Sequence, residues 1–356
     1  MAEDNKVYSL DERIENNLKE IYENEIVPLK KIIEFVEQYK KFKLTGAVEL
    51  SELFKTETDA ETKKEEVIST HGLPGFFAGN RNGDTVMLML NPGQDVVLAN
   101  NPMITFERIE RDKKIGKGIN LNSLNEFISS YMEDSINYGE IDKDRADNFD
   151  LKQAAFLKHW DDCGVDFAGF LDDDYKKLGT SKEDVAKKDN INKEAKRNVL
   201  MQKLSMDLIP YASRKFDGID PNQIHLLFPY LETLFDEIFK KERKYVIFCS
   251  AFYDNLFKQY NKWKERKWEI EDVDNKKSTN TVFDQKNGKK ERLAYCTPII
   301  IHQKKDNGRI QPAIIAHTFP NQSLPNAYEK MEEYGRFCFD EWKKYKEEIA
   351  SNSVKL

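Results

Sequence analysis

Four polar side chains sit at or just beyond the ends of apolar runs, the places where an α/β sheet presents chemistry. Thr85 to Leu90 is an unbroken apolar or β-tolerant run that stops at Asn91-Pro92-Gly93. Leu204 to Ile209 carries Asp207, Tyr245 to Cys249 is followed by Ser250 and Ala251, and Ala313 to Ala316 runs into His317. Ligands of open α/β sheets bind outside the carboxyl ends of the strands. At such an end Asn91 can hold a water through its side-chain carbonyl. Pro92 cannot donate to a ladder, and Gly93 allows close backbone approach. Histidine titrates near neutrality and can give or take a proton. An ionised Asp207 can only accept hydrogen bonds.

The Thr85–Leu90 run lacks polar alternation and so reads as an interior strand of a sheet covered on both faces, and the other three runs read as interior strands beside it. Helical patterns separate them. Residues 222–241 are amphipathic, and a long final helix is expected from about Asn326 to Ile349. The predicted fold class is therefore α/β, with a four-stranded, mostly parallel central sheet between helical layers. Asn80 to Gly83 reads as a hairpin turn leading into the first run, and Asn287-Gly288 and Asn307-Gly308 as further hairpin signals. Residues 262–280 read as a polar excursion. The charged segment from about 108 to 200, with helical patches at Leu121–Met132 and Gln153–Trp160, reads as a helical insertion without a clear strand. Residues 9–42 carry apolar positions at helical spacing, and 52–66 are acidic and lysine-rich. The expected organisation is an N-terminal helical extension over 1–70 and an α/β domain over 71–356.

Net charge is −7, although 56 Lys and Arg are present. A generic nucleic-acid binder is usually basic, so the total counts against that class unless charge is segregated. The four cysteines form no Cys-x-x-Cys pair and no signal peptide is evident, which points to free thiols in a reducing, cytoplasmic setting. No run approaches the roughly 20 apolar residues that span a bilayer, so no membrane is expected. The chain has no P-loop, no Gly-x-Gly-x-x-Gly, no His-Glu-x-x-His and no Gly-x-Ser-x-Gly, and neither a cofactor nor a metal is implied.

The ordered set of strand ends resembles the uracil-DNA glycosylase superfamily, most of all its mismatch-specific and thymine-DNA glycosylase branch. The resemblance covers residues 75–107 and 200–345. It implies a three-layer α/β/α fold and hydrolysis of the N-glycosidic bond of a damaged, mismatched or modified base in nucleic acid. Asn91 would orient the attacking water and His317 would assist departure of the base. Phe106, about 15 residues further on, would stack on the base. Ser250 would face the phosphates, and Ser323, followed by Leu324, would belong to the loop that wedges into DNA. The run from Thr318 to Gln322 is longer than the family pattern. Asp207 falls where uracil-specific members place an asparagine. As a carboxylate it would repel carbonyl oxygens and favour a base edge rich in donors.

Plainer roles stay open for each residue. Asn91 could cap its turn, His317 could be a core histidine, and Asp207 could cap a helix or pair with Arg214. Phe106 could belong to a core, and Ser250 and Ser323 could be ordinary loop serines. Two other functions also fit the sequence: a non-catalytic binder of nucleotide, nucleic acid or protein on the same fold, and a hydrolase of free nucleosides or nucleotides.

Overall fold

The computed structural model describes residues 77–90, 137–138, 148–209, 221–279, 293–304, 309–319 and 328–353. The chain divides into two compact units, and the second, Phe76–Leu90, Ile136–Leu208 and Leu227–Leu356, holds every described strand. Of the first, the described part is residue 209 and most of the 3-10 helix Pro221–Leu227. Along the chain the elements are β1 (Phe77–Asn80), β2 (Thr85–Met89), β3 (Asn137–Tyr138), α1 (Asn148–Leu157), α2 (Asp173–Lys177), α3 (Lys182–Gln202) and β4 (Leu204–Asp207). There follow α4 (Phe228–Ile238), β5 (Tyr245–Phe248), α5 (Phe252–Tyr260), β6 (Trp268–Glu271), β7 (Lys277–Thr279), β8 (Ala294–Gln303), β9 (Ile310–Ala316) and α6 (Tyr328–Ser353).

The fold is α/β, but the sheet is larger than the expected four strands and is mixed. Nine strands take part, eight of them in the order β3-β1-β4-β2-β5-β9-β8-β6, with β7 also pairing to β8. The four apolar runs form its parallel centre, β4-β2-β5-β9. Antiparallel strands extend it on both sides. The polar excursion at 262–280 supplies two of them, β6 and β7. The region read as a helical insertion carries α1, α2 and α3, and also the two-residue strand β3.

The turn after β1 corrects the expected hairpin. Gly83 N–H does donate to Asn80 O at 2.9 Å. Yet β1 and β2 are not neighbours, because β4 lies between them, antiparallel to β1 and parallel to β2. Gly79 makes this approach possible. Its φ is +87°, and a Cβ there would lie 2.2 Å from the Lys203 carbonyl oxygen. Asn287-Gly288 and Asn307-Gly308 both fall outside the described residues; β8 and β9, on either side of the latter in sequence, pair antiparallel.

Helices cover both faces. On one, Phe248 of β5 packs against Phe235 of α4 at 6.3 Å and against Tyr253 and Phe257 of α5 at 5.0 and 4.9 Å. On the other, Met87, Met89, Ile247, Cys249, Ile314 and Ala316 join one core cluster with α1 and α6. The apolar positions of α6 recur at helical spacing through Met331, Tyr334, Cys338, Trp342 and Tyr345, all buried. Gly335 lies within that stripe, and a Cβ there would come 1.9 Å from the Phe156 carbonyl oxygen. Its own carbonyl accepts from Trp160 Nε1 at 3.1 Å. The α1–α6 contact is thus backbone against backbone. Gly335→Ala forces the helices apart and is expected to cost about 3 kcal/mol, the upper part of the overpacking range, read as a lowered midpoint in urea unfolding. A variant as stable as wild type would show that α6 does not sit this close to α1.

Candidate active site at the carboxyl edge of the parallel strands

Taken in chain order, the parallel strands lie in space as second, first, third, fourth. From β2 the chain goes to β4 on one side and then crosses back to β5 on the other. Such a reversal, here between β2 and β5, marks the carboxyl ends at which doubly wound sheets bind their ligands. The register brings the singled-out positions to that edge. Asp207 pairs with Met89, Leu88 with Phe248, and Phe248 with Ile315. Ser250 and His317 each lie two residues beyond the last of these pairs. The ladder continues outward through Leu208 N–H to Met89 O at 3.1 Å and Ala251 N–H to His317 O at 3.1 Å. Leu90, the last described residue before Asn91, ends β2 at the same edge. Asn91, Pro92, Gly93, Phe106 and Ser323 lie outside the described residues, as does Arg214.

His317 is 9% exposed. Its Nε2 lies 2.7 Å from Thr297 Oγ1 on β8, and its Nδ1 is buried without a partner. If Thr297 donates to Nε2, the imidazole keeps its proton on Nδ1 and offers it as a free donor. Burial holds the ring in its neutral form, lowering its pKa from 6.5 to about 4, and the positive charge of Lys276 adds to the effect. The sequence reading missed Thr297, whose signal is a single hydroxyl inside the apolar run of β8. Ser250 accepts from Phe252 N–H at 3.1 Å. It closes the turn that opens α5, so a structural duty for it is directly visible.

Asp207 remains half-buried at the edge of β4. Desolvation raises its carboxyl to about 8, against the pull of Lys203. Lys203 is fully buried just before β4. Burial lowers its ammonium to about 8, while the charges of Asp150, Cys249 and Asp207 favour the protonated form. Its Nζ donates a short hydrogen bond to Ser205 Oγ. On the neighbouring strand end, Tyr253 donates to Met89 O at 2.5 Å. The sequence reading singled out Asp207 but not Lys203 or Ser205.

The edge gathers Asp207 and His317 without placing them on one face. Asp207 shares the face of its register partner Met89, which belongs to the cluster under α1 and α6. His317 follows Ala316 of that cluster and so points to the opposite face. Three strand spacings also put β4 about 14 Å from β9. Asp207 and His317 can therefore act together only on a ligand that lies across the sheet edge.

A second, open cleft of about 590 Å³ is lined by residues 158–167 and Gln202. It lies at the amino ends of the strands, where Thr85 donates to Cys163 O at 2.6 Å and Tyr245 to Asp161 O at 2.6 Å. Among the described residues, none of those singled out from the sequence lines it. Among the described residues no group of three or more His, Cys, Asp or Glu could hold a metal, and no helix is long and apolar enough to cross a membrane. Comparison with protein-family models, curated proteins and solved structures finds no match.

The His317 environment predicts a pH effect. Between about pH 6.5 and 4 the unfolded chain binds a proton at this ring and the folded chain does not. Folding stability therefore falls as pH drops through that window and is independent of this group above it. The depression amounts to about 3 kcal/mol at the acid end. The stability difference between wild type and His317→Gln should change by that order from pH 7 to pH 4, measured by urea unfolding at each pH. An unchanged difference would mean that His317 titrates as a solvated ring.

Proposed function

We propose that the protein is a divergent member of the uracil-DNA glycosylase class, hydrolysing the N-glycosidic bond of a damaged, mismatched or modified base. The observation that carries the reading is the strand-order reversal, with Asp207 and His317 at the carboxyl edge where β2 leads on to Asn91. Breaking this bond develops positive charge on the sugar and negative charge on the departing base. The site then needs a held water, a donor toward the base and a group that reads the base. Asn91 orients the water through its side-chain carbonyl. His317, neutral at physiological pH, offers its Nδ1–H to the phosphodiester on the β9 side. Asp207 reads the base edge, and Phe106 stacks on it as a sequence-tolerant π-face. A ligand lying across the edge, with base toward β4 and phosphodiester toward β9, would meet both groups although they leave opposite faces.

The net charge of −7 supports a second reading, in which the same edge takes a free nucleoside or nucleotide. The two differ in salt dependence. Binding to a DNA backbone weakens steeply as salt rises, whereas hydrolysis of a neutral nucleoside barely responds.

The test is base release by the full chain from duplex and single-stranded oligonucleotides carrying uracil, thymine mismatches, hypoxanthine or modified cytosines. Wild type should leave abasic sites. Asn91→Ala and His317→Ala should each lower the rate about 10²–10³-fold, the scale set by losing one positioned catalytic group. A folded wild-type protein that releases no base from any of these, or variants as fast as wild type, would overturn the proposal.

A further inference from the structure

Four titratable or charged side chains meet where α1, α2 and α6 come together. His159 stands two residues beyond α1, Lys176 lies on α2, and Glu332 and Arg336 are one turn apart on α6. Glu332 is the hub. Its side chain is 8% exposed, while those of His159, Lys176 and Arg336 are 34%, 43% and 57% exposed. Glu332 Oε1 lies 2.7 Å from His159 Nε2, and Oε2 accepts from Lys176 Nζ at 3.3 Å. Arg336 Nη2 is 2.7 Å from the same His159 Nε2 but 4.0 Å from Glu332 Oε1.

A ring nitrogen has a single in-plane position, filled by either a lone pair or a hydrogen. With a lone pair, Nε2 accepts from Arg336 and faces Glu332 as acceptor against acceptor. With a hydrogen, it donates to Glu332 and faces Arg336 as donor against donor. The two 2.7 Å contacts are therefore alternatives, and the proton on Nε2 selects between them. Among the described residues Arg336 has no further hydrogen-bond partner, whereas Glu332 also holds Lys176. On the neutral ring the Nδ1–H tautomer serves both, because Nε2 takes Arg336 and Glu332 keeps Lys176. A proton added at Nε2 makes the ring a cation, which Arg336 repels and Glu332 attracts.

The other charged groups beside the ring are Lys158, Asp161, Asp162 and Asp166, which line the 590 Å³ cleft together with it. Lys158 is paired with Asp172 at 2.6 Å, and Asp162 with Lys244 at 3.2 Å. This wall holds strained backbone. Asp162, Ala168 and Leu171 have φ of +49°, +52° and +62° without being glycine, and such conformations persist only where the surroundings fix them. The bond from Asp166 N–H to Gln202 Oε1 at 2.6 Å is one such restraint, and the tie to α6 through His159 is another.

We propose that His159 is a proton-operated switch that exchanges Arg336 for Glu332. Neutral, it holds the Arg336 guanidinium against the wall of the cleft. Protonated, it joins Lys176 on Glu332, and Arg336, the most exposed of the three cations, turns into solvent. Acidification thus tightens the tie between the cleft wall and α6 and frees a guanidinium at the rim of the cleft. The cleft lies at the amino ends of the strands, so the switch is independent of the carboxyl-edge chemistry proposed above.

The test is a pair of double-mutant cycles on the full-length protein, read by urea unfolding at about pH 8 and about pH 5, the range over which histidine changes charge. Each cycle combines His159→Ala with either Arg336→Met or Glu332→Gln. Other titrating groups are present in every member of a cycle and cancel. At pH 8 the unfolding constant should show about threefold coupling between His159 and Arg336 and none between His159 and Glu332, the scale of a partly exposed pair. At pH 5 the coupling should pass to Glu332 and vanish for Arg336. Proton–nitrogen NMR of the wild-type chain reads the switch without variants, should Glu332→Gln not fold. His159 Nε2 should lack a hydrogen at pH 8 and carry one at pH 5, and the Arg336 side-chain signals should lose their protection in the same step. Coupling to one partner at both pH values, coupling to neither, or a hydrogen already on Nε2 at pH 8 would overturn the inference.

Discussion

β4 can lie between β1 and β2 only if the chain crosses over its amino end without stranding backbone polar groups. That crossing, residues 80–84, is satisfied from three sides. Asn80 N–H reaches Lys203 O at 2.9 Å, and Lys244 and Tyr245 N–H reach Asp84 O at 2.9 and 3.1 Å. The carbonyls of Arg81 and Gly83 both accept from Nη1 of buried Arg243 at 2.7 Å. An unpaired buried carbonyl would cost roughly 1–3 kcal/mol, so each of these contacts decides whether β4 can enter. Once it enters, the parallel order reverses between β2 and β5. Arg243 stands at the amino edge, remote from the candidate site, yet the strand order that defines that site depends on it.

Much of this arrangement was legible in the residues. The four runs are the four parallel strands; β2 and β5, covered on both faces, have no reason to alternate, while β4 alternates through Ser205 and Asp207. Asp207, Ser250 and His317 were placed at one edge by the simple fact that each ends such a run. The strands that escaped notice are short or lie toward the margins of the sheet. Glu269 and Glu271 of β6 and Lys277 of β7 give those segments the composition of a solvated loop, and Pro298 argues against a strand in β8. The insertion of β4 was invisible for a different reason. Asn80 to Gly83 forms the tight turn its composition implies, but a turn reports only a reversal of direction and says nothing of what the two strands pair with.

The polar members of the site show the same division. His317 was legible because histidine is rare in this chain, with 5 in total, and it interrupts an apolar run. Its partner Thr297 is 20 residues away on a neighbouring strand, and only register brings the two side chains within 2.7 Å. Lys203 was overlooked because, among 56 basic residues, a lysine at a helix end reads as a solvated cation. It is fully buried because it follows α3 directly into β4, with no loop in which the side chain could turn outward.

Burying Lys203 and half-burying Asp207 is hard to account for by stability. Desolvation drives both groups toward their neutral forms, and a well-packed apolar pair is often as stable as a buried ionic one or more so. His317 adds to the same tension, with a buried Nδ1 that has no partner. Elsewhere the parallel centre is conventional, with Val86, Leu88, Val246 and Ile247 wholly buried and apolar. Two of these unfavourable groups, Asp207 and His317, stand at the carboxyl edge on opposite faces, whereas Lys203 sits at the amino end of β4. A fold that only needed a core would have no reason to place costs at that carboxyl edge. A fold that must hold a polar ligand across the end of its sheet would place such groups there, because a donor or acceptor kept from water is released from that penalty when a ligand meets it.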